Sequence, residues 1–245
     1  MNAFWFDIDD TLYSRRSLLL QAAKEVAPQG ISLQEERFMR IFLEKSDENF
    51  PDVESGRITA WKSNVWRLEE TFHEMGIAFP EGTGAAFADR YTYLQEHINL
   101  SPVMAKMMDY LADLRQEGPA EIFLGILTNG PSEHQWQKYD MLGLERWIQR
   151  KNVIVSGDLE FAKPDIQIFR AAEQTVNRLP GGGTDRTCWM VGDSLSHDII
   201  GAKRAGWNTI WFNRGTSDDA GREFSDRIAH SETEMYEAIR LTFGK

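Results

Sequence analysis

The chain has 245 residues, 42% of them hydrophobic and 27% charged, a balance typical of a globular protein with room for one α/β domain and a smaller second domain. Its net charge of −11, without a run rich in lysine or arginine, argues against a nucleic-acid polymer as partner. The single cysteine, Cys188, excludes an internal disulfide and a thiolate metal cluster, and the lack of an apolar run of about 18 residues or of a signal peptide predicts a cytoplasmic protein without a membrane span.

The first predicted strand lies in the segment Phe4–Leu12, an apolar run that ends in Asp7, Asp9 and Asp10 and the hydroxyl of Thr11. A buried strand of this kind delivers its polar end to the carboxyl edge of a parallel sheet, where α/β folds bind ligands. Asp7 and Asp9 would share one face of an ideal strand, and carboxylates about 4 Å apart repel by roughly 4 kcal/mol at an effective dielectric near 20. We therefore expect a cation between them. Taken alone, these acids are equally compatible with the capping of a turn or helix.

A helical pattern of about eighty residues follows this strand. Hydrophobic residues recur at spacings of three and four from Trp61 to Met75, which predicts an amphipathic helix ended by Gly76. Shorter patterns of the same kind lie on both sides of it. The sequence therefore predicts a small helical bundle inserted at residues 15–99.

Strands and helices alternate from residue 100 onward, starting with a helix at Ser101-Pro102. The predicted strands cover residues 122–127, 153–155, 188–191 and 209–212. The predicted helices lie near residues 132–142, 165–177, 197–205 and 232–242. Capping boxes at Ser132–Gln135 and Ser231–Glu234 predict two of the helix starts, and Pro180–Gly183 predicts a mobile connection. The alternation predicts a parallel sheet with right-handed crossovers, in which the strand ending at Asp7 is central.

Polar side chains also mark the later strands. Thr128 ends the second predicted strand, and Asp193 ends a further one. Lys163 precedes a predicted helix, and Asp198 follows Asp193 by five residues. With the acidic segment that begins at Asp7, these residues resemble, in type and order, the four motifs of the haloacid dehalogenase-like hydrolase superfamily: Asp-x-Asp-x-Thr, Thr or Ser, Lys, and Gly-Asp with a further Asp.

This resemblance implies an α/β fold with a Rossmann-like parallel sheet sandwiched by helices and an inserted all-helical C1 cap. The core domain would consist of residues 1–14 and 100–245, and the cap of residues 15–99. It also implies Mg²⁺-dependent hydrolysis of a small-molecule phosphate monoester through an aspartyl-phosphate intermediate.

Asp7 and Asp9 are the candidate catalytic acids. Asp7 would attack phosphorus and form the acyl phosphate, which divides one difficult displacement into two easier ones. Asp9 would protonate the leaving oxygen and later take a proton from the attacking water. That role calls for a pKa raised by its acidic neighbours. The resemblance assigns the same two roles to these positions.

Thr128, Asn129 and Gly130 are the candidate phosphate-binding residues, since they would present a hydroxyl and main-chain N–H groups to the phosphoryl oxygens. Lys163 is the candidate catalytic cation, whose charge would stabilise the phosphoryl group through the transition state. As a single residue, Lys163 would more often be a solvated surface lysine, and only its place among the motifs favours the catalytic role.

Two carboxylates with a main-chain carbonyl suit Mg²⁺, and the family pattern takes them from Asp7, the main-chain oxygen of Asp9, and Asp193. We expect Asp198 to hydrogen-bond to metal-bound waters or to Lys163 rather than to bind the metal. As a bland alternative, Asp198 is a helix-dipole partner at an exposed helix start. Thr11 would brace the loop by hydrogen bonding.

The substrate is indicated less sharply. Gly56–Ile58 with Arg67, together with Ala205–Asn213, look like segments of nucleoside 5′-monophosphatases and N-acylneuraminate-9-phosphatase-like enzymes. We expect a small phosphorylated metabolite, such as a nucleoside 5′-monophosphate or a sugar phosphate, as the partner of a monomer or homodimer. A phosphomutase and a non-catalytic small-molecule-binding protein on this fold are the alternatives. The acid at position 9 disfavours a dehalogenase.

Overall fold

The computed structural model describes residues 1–117, 122–178, 186–214 and 220–243, apart from the side chains at positions 50, 54, 116 and 117. The helix stop predicted at Gly118-Pro119 and the connection predicted at Pro180–Gly183 lie outside these residues. The chain divides into two compact units. One comprises Met1–Tyr13 and Ile98–Lys245, and the other comprises Ser14–His97.

A six-stranded sheet forms the centre of the first unit, and every neighbouring pair of its strands is parallel. The strands are β1 (Asn2–Phe6), β2 (Ile122–Thr128), β3 (Val153–Val155), β4 (Thr187–Gly192), β5 (Asn208–Phe212) and β6 (Arg227–Ala229). Their order is β3-β2-β1-β4-β5-β6, which confirms the α/β fold class and the central position of the first strand. The edge strand β6 was not predicted, because its residues Arg-Ile-Ala do not form an apolar run like the Val-Ile-Val of β3.

The register of β1 brings three strand ends to the same edge of the sheet. Phe6 pairs with Ile126 of β2 on one side and with Val191 of β4 on the other. The Asp7 N–H continues this ladder by donating to the Val191 carbonyl at 3.0 Å. Because the strands run parallel, the residues that follow β1, β2 and β4 leave the sheet side by side.

Alternate residues of β1 pack on opposite faces of the sheet. Trp5 contacts Phe123 and Trp207, with ring centroids 5.0 and 6.3 Å apart, in a core cluster that also includes residues of the following helices. Phe4 stacks on Trp189 on the other face, at 6.0 Å between centroids. Burial of each large apolar side chain contributes about 1.5–3 kcal/mol, so β1 is anchored on both faces.

Five α-helices belong to this unit among the described residues: α5 (Pro102–Glu117), α6 (Ser132–Met141), α7 (Ile166–Asn177), α8 (Ile200–Arg204) and α9 (Glu232–Arg240). A π-helical turn at Leu195–Ile199 leads into α8. The caps predicted at Ser101 and Ser231 are confirmed, because these hydroxyls accept from the N–H of Met104 at 3.1 Å and of Glu234 at 3.2 Å.

The capping box predicted at Ser132–Gln135 is wrong. The helix α6 already includes Ser132, its N-cap is Pro131, and no side chain caps it. The Gln135 side chain makes its hydrogen bonds elsewhere, with Thr128 and Asp9. The sequence pattern fits a cap, but a tertiary contact uses the glutamine.

The second unit contains four helices in its described part: α1 (Arg15–Val26), α2 (Glu35–Glu54), α3 (Ala60–Met75) and α4 (Thr83–Gln95). The predicted stop at Gly76 is confirmed, since this residue ends α3 with a φ of 72°, which glycine adopts without strain. Its core includes the buried rings of Phe38, Phe42, Phe72 and Phe87. None of the helices that the structure describes combines the length and the apolar sequence needed to cross a bilayer.

Candidate active site

Asp7 lies at the carboxyl end of β1 and is almost completely buried, with 6% of its surface exposed. Its Oδ1 accepts a hydrogen bond from Lys163 Nζ at 2.7 Å. Burial raises the pKa of Asp7, the charge of Lys163 opposes this, and the neighbouring carboxylate of Asp198 raises it further, with a result of about 6. A cation near the Asp7 carboxylate would favour its charged form.

Lys163 is buried as well, with 4% exposed, which contradicts the alternative of a solvated surface lysine. Its ammonium group bridges Asp7 and Asp198 at 2.7 and 2.6 Å. Burial by itself would lower the pKa of Lys163, but the two carboxylates raise it above the usual value, so the side chain is charged at neutral pH. The Asn129 side chain fixes the lysine backbone, donating to its carbonyl and accepting from its N–H, both at 2.9 Å. The Asn129 amide therefore faces the Lys163 main chain.

Asp193 joins this cluster from the end of β4. Asp7, Asp193 and Asp198 each offer a carboxylate oxygen, and these oxygens lie within 4.8 Å of one another. Asp7 and Asp198 share the ammonium group of Lys163, and three carboxylates this close together repel one another in their charged forms. Carboxylate oxygens are the donors that Mg²⁺ prefers, and a divalent cation would balance the charge. The donor set therefore fits a magnesium ion.

Asp198 is completely enclosed, with 1% exposed, so it is not a helix-dipole partner at an exposed helix start. Its Oδ1 accepts from Lys163, and its Oδ2 accepts from the Ser194 N–H at 3.0 Å. A side chain at Gly192 would collide with the Asp198 carboxylate, so this position requires glycine. Both oxygens of Asp198 thus already have hydrogen-bond donors within the protein.

The Asp9 carboxylate contacts residues of helix α6. Lys138 Nζ lies 2.7 Å from both of its carboxylate oxygens. Gln135 Nε2 donates to Oδ2 at 2.9 Å, and the Tyr13 hydroxyl donates to Oδ1 at 2.5 Å. Partial burial would raise the pKa of Asp9, but the charge of Lys138 and these hydrogen bonds outweigh burial and lower it. The expectation of a raised pKa is therefore wrong, because a lysine rather than another acid is the nearest charged group.

Thr128 and Gly130, two of the predicted phosphate-binding residues, already have hydrogen-bond partners. The buried Thr128 hydroxyl donates to Gln135 Oε1 at 3.1 Å. The Gly130 N–H donates to the Ser156 hydroxyl at 3.0 Å, so it is not available to a phosphoryl oxygen in this arrangement. The two residues do lie at the predicted sheet edge, next to the loop of Lys163.

Thr11 does not brace the loop as predicted. Its hydroxyl is buried and makes no hydrogen bond to any part of the chain that the structure describes. Arg214 makes such contacts instead, donating to the main-chain carbonyls of Asp10 and Thr11 at 3.3 Å each. Arg214 also forms an ion pair with Glu232 at 3.2 Å. A brace from the end of β5 therefore replaces the predicted local one.

The sequence analysis missed Lys138, Gln135, Tyr13 and Arg214. A signal for two of them exists: Gln135 and Lys138 are three residues apart on α6, so they lie on the same helix face. That helix follows the strand that ends in Thr128, which directs its first turns toward the same sheet edge. Tyr13 and Arg214 carry no comparable pattern.

Comparison with known proteins agrees with this geometry. The sequence model of a family described as haloacid dehalogenase-like hydrolase matches residues 1–206. The glyceraldehyde 3-phosphate phosphatase of Pyrococcus furiosus is 26% identical over 248 residues, which cover 98% of this chain and 92% of that protein. The pyrimidine 5′-nucleotidase PynA of Streptococcus pneumoniae is 26% identical over 214 residues, which cover 85% and 82% of the two chains.

A solved structure shares the fold. The Bacillus subtilis protein YfnB, in a crystal form with bound magnesium, superposes with a TM-score of 0.59 over 97% of this chain and 98% of its own, at 23% identity. At this level of identity, the similarity shows the architecture.

Proposed function

Because the chain belongs to the haloacid dehalogenase-like hydrolase family, we propose that it hydrolyses a small-molecule phosphate monoester through an aspartyl-phosphate intermediate. The observation that carries this proposal is the buried cluster at the end of β1. There Lys163 bridges Asp7 and Asp198, and the oxygens of Asp7, Asp193 and Asp198 converge within 4.8 Å.

Asp7 is the nucleophile in this proposal. One oxygen of its carboxylate is bound to Lys163, and the other attacks phosphorus. A bond forms between Asp7 and phosphorus as the bond to the ester oxygen breaks, which gives an acyl phosphate. The buried ammonium group of Lys163 stabilises negative charge on the transferring group because no bulk water screens it. Water then hydrolyses the intermediate and regenerates Asp7.

Asp9 is the acid and base. It gives a proton to the ester oxygen that leaves and takes one from the attacking water. The contacts with Lys138, Gln135 and Tyr13 favour its ionised form, which is the form that accepts the proton from water. For the first step, Asp9 must carry a proton when the substrate is bound.

Mg²⁺ is the proposed cofactor, held by Asp7, Asp193 and the main-chain oxygen of Asp9. When bound, it supplies positive charge that offsets the charge of the phosphoryl oxygens. The convergence of three carboxylate oxygens within 4.8 Å supports this assignment, and so does the magnesium in the YfnB crystal structure. Asp198 supports the site by holding Lys163, and Thr128 would bind the phosphoryl group by exchanging its hydrogen bond with Gln135 for one with a phosphoryl oxygen.

The proposed substrate is a phosphorylated small metabolite, such as a sugar phosphate or a nucleoside 5′-monophosphate. Relatives named as a glyceraldehyde 3-phosphate phosphatase and as a pyrimidine 5′-nucleotidase support this class. The helical insertion, residues 15–99, is the proposed cap, and its residues would select among these esters.

Rapid-quench trapping with a labelled aryl phosphate tests the two catalytic assignments. Asp7→Asn should abolish turnover and leave no labelled protein, because an amide is a poor nucleophile. Asp9→Asn should slow the first step with an alkyl phosphate by about 10²–10⁴-fold but spare the first step with p-nitrophenyl phosphate, whose leaving group needs no proton. Phosphoenzyme should then accumulate with the aryl ester.

Asp10→Asn is the matched control. It makes the same chemical change next to the machinery, and asparagine accepts the left-handed backbone of this position, where φ is 58°. This variant should keep its activity. Label retained on Asp7→Asn would refute the nucleophile, and equal first-step losses for the two esters in Asp9→Asn would refute the acid. A wild-type protein that hydrolyses neither ester with Mg²⁺ would refute the proposed function itself.

A further inference from the structure

The contacts between Asp9 and helix α6 do more than favour the ionised form of Asp9, because they also restrict where its carboxylate lies. Lys138 lies on this helix and reaches the Asp9 carboxylate from a position 129 residues along the chain. It contacts no other carboxylate among the residues that the structure describes. An ammonium group devoted to the acid and base of the reaction calls for a functional explanation.

We propose that Lys138 is a positioning residue, which fixes the Asp9 carboxylate for its proton transfers. This inference rests on the proposed function. Lys138 Nζ lies 2.7 Å from both Asp9 oxygens, so it bisects the carboxylate rather than contacting one edge. The Tyr13 hydroxyl occupies one oxygen and the Gln135 amide the other. With one further donor on each oxygen, the carboxylate can neither rotate about its bond nor swing toward the metal-binding acids without breaking several contacts.

Gln135 extends the same device to the phosphate side. Its orientation is determined, because its Oε1 accepts from the Thr128 hydroxyl at 3.1 Å while its Nε2 donates to Asp9 at 2.9 Å. Gln135 is almost fully buried, with 3% exposed, so its amide keeps this direction. A single helix face therefore sets the distance between the proton-transfer group and the proposed phosphate-binding hydroxyl.

The solvent exposure of the Lys138–Asp9 ion pair indicates that the pair matters more for the position of Asp9 than for the stability of the fold. The side chains of Lys138 and Asp9 are 21% and 16% exposed, and ion pairs that water can reach add little to folding. Because Lys138 is partly exposed, a small ammonium ion from solution can reach the space that a shortened side chain would leave. Loss of the ammonium group should therefore affect the reaction more than the fold.

The test compares Lys138→Ala, Lys138→Arg and wild type on an alkyl phosphate and on p-nitrophenyl phosphate, with Mg²⁺ and at constant pH. For Lys138→Ala, kcat/KM with the alkyl ester should fall by about 10–100-fold, since a misplaced acid loses much of its general-acid effect. With the aryl ester, kcat/KM should fall by less than about threefold, because that leaving group needs no proton. Lys138→Arg, which can also bind a carboxylate through two contacts, should recover most of the loss.

Ethylammonium added to Lys138→Ala gives a second measurement that a structural role would not move. It should restore kcat/KM with the alkyl ester in a saturable way and leave the aryl ester unchanged. Gln137→Ala is the matched control on the same helix and should change the rate with neither ester. Within the described residues, the Gln137 side chain hydrogen-bonds to the exposed Glu133, at 3.5 Å, and not to Asp9.

The proposal is overturned if Lys138→Ala loses the same factor with both esters, if neither ester is affected, or if the alkyl ester is turned over faster. Each of these results is distinguishable from failure of the proposed function, in which the wild type itself would not hydrolyse either ester.

Discussion

Two lysines contact two carboxylates that are only two residues apart, yet the two pairs differ in kind. Lys163 is buried and is shared between Asp7 and Asp198. The Lys138 side chain is 21% exposed to solvent, and among the described residues it pairs with one acid, Asp9. The pKa of Asp7 is raised to about 6, whereas the pKa of Asp9 is lowered.

Each acid has a lysine beside it, yet the pKa values move in opposite directions. The difference indicates that the pKa depends on how deeply the acid is buried and on whether its lysine is shared with a second acid. Asp7 has lost its hydration, which raises its pKa; Lys163 lowers the pKa, and the neighbouring charge of Asp198 raises it further. Asp9 keeps part of its hydration and receives donors on both oxygens. The end of β1 thus presents one carboxylate whose pKa is raised and, two residues further on, one whose pKa is lowered. This asymmetry suits a nucleophile on a metal beside a separate acid and base.

Replacing each lysine by methionine should give the largest difference between the two pairs, in the free energy of unfolding. Lys163→Met leaves Asp7 and Asp198 buried without their cation, and the free energy of unfolding without metal at pH 8 should fall by about 3–5 kcal/mol. Lys138→Met should cost about 1 kcal/mol or less, because its pair is partly hydrated. Urea denaturation in EDTA measures both, and methionine retains the aliphatic stem in each case. Equal losses would contradict the contrast between the two pairs.

The pH dependence of the free energy of unfolding, measured for wild type and Lys138→Met, adds a second test of the Asp9 pair. The pKa of Asp9 is lower in the folded than in the unfolded chain, so its ion pair stabilises the fold above the unfolded pKa. That contribution disappears as the pH falls through the folded pKa. The stability difference between wild type and Lys138→Met should therefore vanish in strongly acidic solution and be constant from pH 6 to pH 8.

Asp193→Asn tests the claim that the Asp7 side of the comparison needs a divalent cation. The change removes one charge and one carboxylate from the cluster but keeps its volume, so Mg²⁺ affinity should fall by about tenfold or more. Isothermal titration calorimetry measures this directly. Asp226→Asn is a suitable control, since Asp226 pairs with Lys203 at 2.9 Å outside the cluster. Unchanged Mg²⁺ affinity in Asp193→Asn would remove this residue from the proposed metal ligands.

The smallest expected effects concern the two threonines at the same sheet edge. Thr128→Val removes a buried hydroxyl that donates to Gln135, and leaves the Gln135 oxygen unsatisfied, so it should cost about 1–3 kcal/mol. Thr11→Val removes a buried hydroxyl without a partner in the described chain, and should be neutral or stabilising by up to about 1 kcal/mol. Thermal unfolding of the two variants compares them. A larger loss of stability for Thr11→Val than for Thr128→Val would contradict the contrast between the two hydroxyls.

The order of apolar and polar residues along the chain predicted most of the fold. Apolar runs that end in polar residues predicted the strands that end near Asp7, Thr128 and Asp193, and the sheet brings those ends together. Helical spacing predicted α3 and its stop at Gly76. These features follow from local chemistry, because hydrophobic periodicity and backbone freedom are properties of neighbouring residues.

The sequence alone therefore determined which residue types meet at the sheet edge, together with the family to which they belong. Only the tertiary structure decided how they are paired. Lys163 bridges two acids, and Lys138 binds a third. Gln135 contacts Asp9 instead of capping its helix, and the Thr11 hydroxyl, predicted to brace the loop, has no hydrogen bond in the described part of the chain. Hydrogen bonds and ion pairs between residues far apart in the chain depend on distances that must be right to within a few tenths of an ångström. They also depend on how much water each group keeps. Neither quantity is a property of a local run of sequence, so the charge state of each acid became clear only in the folded molecule.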